Sequence, residues 1–224
     1  MSSLIYYATT DEAVIVTDTL VTHAGHPAFF TTKANHVPHL RMIVAGTGAA
    51  GFAGEWIDFA SKWMLVEGIE HLDQFTPAML RERWAAERLK RGIPPEQTTT
   101  VYHFGFSERS DQLVLFAYRS AQDFASERIE IDGSVFAAKP DCSFPEGDDL
   151  FRIIETMMRE QRSIEDAKPV GERVHIGGEA IAMHLKRDGC RTFSLFRFED
   201  INTQMREAVA LFNAAPIDQA ETQA

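Results

Sequence analysis

Cysteine is nearly missing. The 224 residues hold two, Cys142 and Cys190, far apart and outside any C-x-x-C pair, which excludes a disulfide framework and a thiolate metal site and fits a reducing cytoplasm. Basic charge is also short. Against 33 carboxylates stand 22 Lys and Arg, for a net charge of -11. That balance repels a phosphate backbone except over a local basic patch, and the sequence has no such patch, so no nucleic-acid partner is expected. No apolar run approaches the roughly 20 residues of a membrane span. The opening MSSLIYYATTDE has neither the positive charge nor the apolar stretch of a secretory signal. The expectation is a soluble, unexported, cytoplasmic protein with no membrane partner.

What is present is ordinary globular material, with 45% apolar and 25% charged residues. A chain of this length buries about 70% of its unfolded surface. At roughly 150 residues per domain one or two domains are allowed. No linker-like stretch divides the chain, so a single domain over 1–215 with a frayed polar tail over 216–224 is expected.

Strand signals open the chain. LIYYAT and AVIVTDTLVT, separated by Thr10-Asp11-Glu12, predict a hairpin, and Phe29 and Phe30 with Leu40 to Ala45 predict a second pair. The glycines of AGTGAAGFAG then mark a sharp entry into a helix in which Phe52, Trp56, Phe59, Ala60 and Trp63 recur at helical spacing, running to about Gly68. Thr76 as N-cap with Pro77 behind it predicts a second helix, striped by Leu80, Trp84, Ala85 and Leu89 and closed by Gly92 and Pro94. From Thr98 the segments TTTVYHFGF, QLVLFAYRS, ERIEIDG and VFAAK predict a second meander. Asp148 and Asp149 precede a third helix on Leu150, Ile153, Ile154, Met157 and Met158. Residues 173–187 and 190–198 pair across Asp188-Gly189, and a last amphipathic helix carries Ile201, Met205, Val209 and Phe212. Strands that come in hairpins, not singly between helices, point to mainly antiparallel sheets with helices on the outer faces. The expected fold class is α+β, a four-layer αββα sandwich of two sheets.

Three residues carry the chemical interest: Ser2, Asp18 and Lys33, at spacings of 16 and 15. The stretches that hold them, SLIYYATTDEAVIVTDTLV, TTKANHV and LRMIVAGTGAAG, resemble the N-terminal part of proteasome β subunits and the bacterial HslV peptidase, members of the N-terminal nucleophile (Ntn) hydrolases. Far downstream IGGEAIAMHLKRDG at 176–189 is similar to that family's penultimate strand. The resemblance implies amide or peptide bond hydrolysis after removal of Met1. Ser2 would be the nucleophile and its own α-amine the base, since a terminal amine with a reference pKa of about 7.7–8.0 is already suited to take a hydroxyl proton. Lys33 would tune that pair, Asp18 would hold and compensate Lys33, and the Gly46 N–H would face the oxyanion. It further implies self-association into a ring or related homo-oligomer, with an ATP-dependent unfoldase as a further partner. The alternative is a catalytically inactive scaffold subunit. It draws on Arg173 and Ile176, which stand where the family places an Asp and a Ser, and on retention of Met1.

Two other motifs compete for a function. Gly46, Gly48 and Gly51 spell the dinucleotide fingerprint G-x-G-x-x-G, which demands a parallel βαβ unit that the flanking hairpins and helix pair oppose. His23-x-x-His26 and His36-x-x-His39 could in principle bind zinc or nickel. Pro27 and Pro38 work against a helical presentation, and loop histidines are the plainer reading. No cofactor and no metal are therefore expected.

Overall fold

A computed structural model describes residues 3–49, 51–63 and 65–214. Met1, Ser2 and the 216–224 tail lie outside the described residues. The chain begins with the antiparallel pair β1 (Leu4–Thr9) and β2 (Glu12–Asp18), followed by β3 (Leu20–His23) and β4 (His26–Phe30), then β5 (Ala34–Val37) and β6 (Met42–Thr47). Three helices follow: α1 (Phe52–Trp63), the short α2 (Ile69–Asp73) and α3 (Thr76–Arg91). Next come β7 (Thr100–Phe106), β8 (Leu113–Arg119), β9 (Ser126–Ile129) and β10 (Ser134–Lys139), then α4 (Leu150–Asp166), β11 (Glu179–Lys186), β12 (Gly189–Arg197) and α5 (Ile201–Ala214).

The strands form two five-stranded sheets, ordered β10-β1-β2-β11-β12 and β5-β6-β7-β8-β9, with β3 and β4 as a separate two-stranded ribbon. Every pairing is antiparallel. Alternation along the strands builds the layers, because successive side chains leave a strand on opposite faces. Leu4, Tyr6 and Ala8 enter the core between the sheets together with Ile15, Phe104 and Leu115. Their neighbours Ile5, Val14 and Val16 face outward onto Ile154, Met157 and Met158 of α4. On the far side Val44, Val101 and Phe116 pack under Phe52, Trp56, Leu80 and Trp84 of α1 and α3. The result is the expected α+β fold, helices–sheet–sheet–helix. Among the described residues no helix is long and apolar enough to cross a membrane.

Several boundaries differ from the expectation. The run expected as one strand over 13–22 is broken after Asp18, and its second part pairs with Phe29 and Phe30. β10 does not extend the β7–β9 meander. It crosses to the other sheet and pairs with β1, Leu4 opposite Lys139. The first long helix stops at Trp63, short of Gly68, and Thr76 lies inside α3, where its hydroxyl donates to the Leu72 carbonyl at 2.9 Å instead of capping. Asp149 does cap α4, accepting from the N–H groups of Phe151 and Arg152.

Candidate active site

Asp18 is the last residue of β2, at one end of the sandwich, where the chain leaves the sheet to enter the β3–β4 ribbon. A carboxylate here is fully buried, which is costly unless each oxygen is answered. Both are. Oδ1 accepts from the Ser3 N–H at 2.9 Å and from the Lys33 ammonium at 2.8 Å, and Oδ2 accepts from the Gly177 N–H at 3.2 Å. Lys33 sits just before β5 with only 8% of its side chain exposed, and spends a second donor on the Leu20 carbonyl at 2.6 Å. An ammonium has three N–H groups. Among the described residues the third has no acceptor.

Gly46, in β6, lies against Lys33 through the backbone: its N–H donates to the Lys33 carbonyl at 3.2 Å, the long limit for such a bond. Only glycine fits here, since a Cβ would come within 2.3 Å of the Ala53 Cβ. That close approach lets α1 start directly above the strand end. Two residues on, Gly48 has φ +100°, and a Cβ there would meet the Thr98 carbonyl oxygen at 2.2 Å. Between this turn, α1 and the β3–β4 ribbon lies a cavity of about 180 Å³, bounded by Lys33 and Gly46 and walled by Leu20, Val21, Phe29 and Ile57.

The structure thus brings Asp18 and Lys33 into contact and sets Gly46 at the Lys33 backbone, while Ser2 lies outside the described residues. The remaining support comes from residues that the sequence analysis did not single out. Gly177 and Gly178 close the site from behind. The Gly177 carbonyl accepts from Thr19 and Leu20, and the Gly178 N–H donates to Gln204 of α5 at 2.9 Å. Ser3 is fully buried, and its hydroxyl donates to Gln161 of α4 at 2.5 Å. A polar residue on the buried stripe of α4, in register with Ile154, Met157 and Met158, was the available signal for Gln161. Arg173 turns away to the Lys168 carbonyl at 2.8 Å, and Ile176 is buried in the outer core. Burial, reinforced by Arg173, holds His175 below its ordinary pKa.

The competing motifs lose their footing. β6 is antiparallel to both of its neighbours, so the glycine turn is not part of a parallel βαβ unit. His23 and His26 face each other across the ribbon turn, and among the described residues no group of three or more His, Cys, Asp or Glu is placed to hold a metal ion.

No family model matches the chain. No curated protein matches it either. A solved structure does: Anbu (ancestral beta-subunit) from Yersinia bercovieri superimposes with a TM-score of 0.59 over 96% of this chain and 97% of that one, at 10% sequence identity. The fold is proteasome-like. At that identity the likeness is one of fold alone. The sequence resemblance to proteasome β subunits and HslV is therefore corrected: with no family model matching and a structural likeness at 10% identity, the motifs accompany a proteasome-like fold and do not assign the chain to that family.

Proposed function

We propose that the chain hydrolyses peptide or other amide bonds, using the Ser2 hydroxyl as nucleophile once Met1 is removed and the exposed α-amine as general base. The observation that carries this reading is one shared oxygen. The Ser3 N–H and the Lys33 ammonium both donate to Asp18 Oδ1, and residue 2 is bonded to that same Ser3 nitrogen at about 1.33 Å. The nitrogen that carries residue 2 thus shares its acceptor with a lysine whose third N–H has no acceptor among the described residues.

The chemistry follows from those neighbours. The amine takes the hydroxyl proton, the oxygen attacks the substrate carbonyl, and the negative charge on the tetrahedral intermediate needs a donor. The Gly46 N–H supplies it by sharing its long bond to the Lys33 carbonyl. The amine then returns the proton to the leaving nitrogen, and water cleaves the resulting ester. The cavity against Lys33 takes the substrate side chain next to the scissile bond. An apolar cavity of roughly 150 Å³ holds a benzene ring, so one of about 180 Å³ suits a leucyl or phenyl group. Self-association accompanies this reading, supported by the exposed row of Met205, Val209 and Phe212 on α5.

The rival is an inactive scaffold. It is favoured by the engagement of the Gly46 N–H and by Arg173, which brings no carboxylate to the chain end. Intact-mass measurement and labelling with a β-lactone decide between them. The hydrolase reading expects a mass short by one methionine and an adduct mapped to Ser2 that Lys33→Ala abolishes. A full-length mass with no adduct leaves the scaffold.

A further inference from the structure

Along the buried face of α4, Ile154, Met157 and Met158 give way to two polar residues, Gln161 and Glu165, both buried. Glu165 is accounted for locally, since it accepts from the Val174 N–H and from Lys168. Gln161 reaches elsewhere. Its Oε1 accepts from the Ser3 hydroxyl at 2.5 Å, and its Nε2 donates to the Pro140 carbonyl. Pro140 follows β10, whose Lys139 is paired with Leu4, so one amide joins the two chain segments that flank the start of β1.

Ser3 is consequently held at two points. Its N–H is fixed by Asp18 and its hydroxyl by Gln161. One contact would leave it free to rotate about that bond. Two define its orientation. A leucine and an alanine would fill the same space but leave the Pro140 carbonyl without the donor that Gln161 gives it, so the amide does more than fill space.

We propose that Gln161 is a positioning residue: by holding the Ser3 hydroxyl while Asp18 holds the Ser3 N–H, it fixes the nitrogen that carries residue 2. The inference rests on the hydrolase reading for its purpose, but not for its geometry. Two readouts keep the failures apart. One is β-lactone labelling of the full chain, resolved into maximal rate and half-saturating concentration. The other is hydrogen exchange of the Ser3 amide, which requires no catalysis.

Gln161→Leu is expected to lower the maximal labelling rate at least tenfold with the half-saturating concentration unchanged, and to speed Ser3 exchange at least tenfold while amides in β7 and β8 stay as protected as before. Ser3→Ala is expected to lower the labelling rate to a similar extent, and the double variant to be no worse than either single one, because the two act as a unit. Should Gln161→Leu fail to fold, Ser3→Ala carries the labelling test by itself. Labelling at the wild-type rate in either folded variant, or unchanged Ser3 exchange in Gln161→Leu, overturns the proposal. If the wild type takes no label, exchange decides: acceleration in Gln161→Leu upholds the clamp while the hydrolase reading falls.

Discussion

Two of the polar sites buried in this molecule solve the same problem differently. At the end of the sandwich the Asp18–Lys33 ion pair has every carboxylate oxygen answered and lies against a cavity. Beneath α1, the His103 ring lies nearly parallel to the Trp56 ring plane and edge-on to Tyr118. Its Nε2 accepts from the Trp56 N–H at 2.8 Å, and among the described residues its Nδ1 has no partner. Because Nε2 accepts, the ring proton is assigned to Nδ1. Burial pushes the His103 pKa down to about 3, so the ring stays neutral and one unmet N–H is tolerable. An ion pair has no such escape. It persists inside a protein only where its surroundings are completed for it, and the pair so completed beside a cavity is the one to suspect of chemistry.

The comparison breaks most easily at Asp18. Asp18→Ala strands the ammonium and two N–H groups, and is expected to cost about 3–5 kcal/mol by urea denaturation and to abolish β-lactone labelling. Replacing both partners, Asp18→Leu with Lys33→Met, removes the stranded ammonium but leaves the Ser3 and Gly177 N–H groups and the Leu20 carbonyl unmet, and is expected to restore only part of the stability and none of the labelling. A double variant that labels normally makes the pair purely structural. Gly46→Ala probes the same end by crowding: a methyl 2.3 Å from Ala53 Cβ must push α1 off β6, for about 1–3 kcal/mol, with slower labelling because the cavity wall moves.

The His103 side of the comparison is sharpened by acid. An unfolded histidine binds its proton near pH 6.5, while the folded one resists to about 3. Between those values only the unfolded state is protonated, so stability falls as pH falls, at up to about 1.4 kcal/mol per unit. By pH 5 the loss is about 2 kcal/mol on that slope. His103→Gln accepts from Trp56 without titrating, and is expected to start lower at pH 7 but to lose less on going to pH 5. Parallel curves for the two proteins would remove His103 from the account.

How far the sequence foretold this depends on whether a feature is local. Alternation in LIYYAT and the stripe of α4 assign faces, so the layers were legible. Alternation does not say which sheet a strand joins. Thus β10 was misplaced: its partner β1 lies far back at the start of the chain, and no residue of VFAAK encodes that pairing. The ribbon was missed because the break after Asp18 is made by a carboxylate pulled inward, a tertiary event with no propensity signal. Asp18 and Lys33, which the structure brings into contact, were singled out from their spacing and a motif likeness that tracks fold. Gly177, which completes the carboxylate from 159 residues away, and Gln161 were not. Gln161 left one trace, an amide where the helical period demanded an apolar side chain.

The smallest effect tests whether burial is the right discriminant. Arg162 of α4 and Asp200, just before α5, make a two-pronged contact, 2.8 and 2.6 Å, with side chains 22% and 41% exposed. Arg162 holds the Asp200 carboxyl below its ordinary pKa, so this pair adds stability at neutral pH that is lost as pH falls through the lowered value. Chemically it is a stronger pairing than Asp18 with Lys33, for a guanidinium fork matches a carboxylate better than an ammonium does. Water nonetheless screens it. Arg162→Ala is expected to cost no more than about 1 kcal/mol, part of it from uncovering the Phe198 ring that the guanidinium overlies at 4.8 Å, and Arg162→Lys less still. Urea midpoints measure both. A loss near that of Asp18→Ala would mean that geometry, not enclosure, sets the worth of an ion pair in this fold, and only the cavity would then distinguish the Asp18 end.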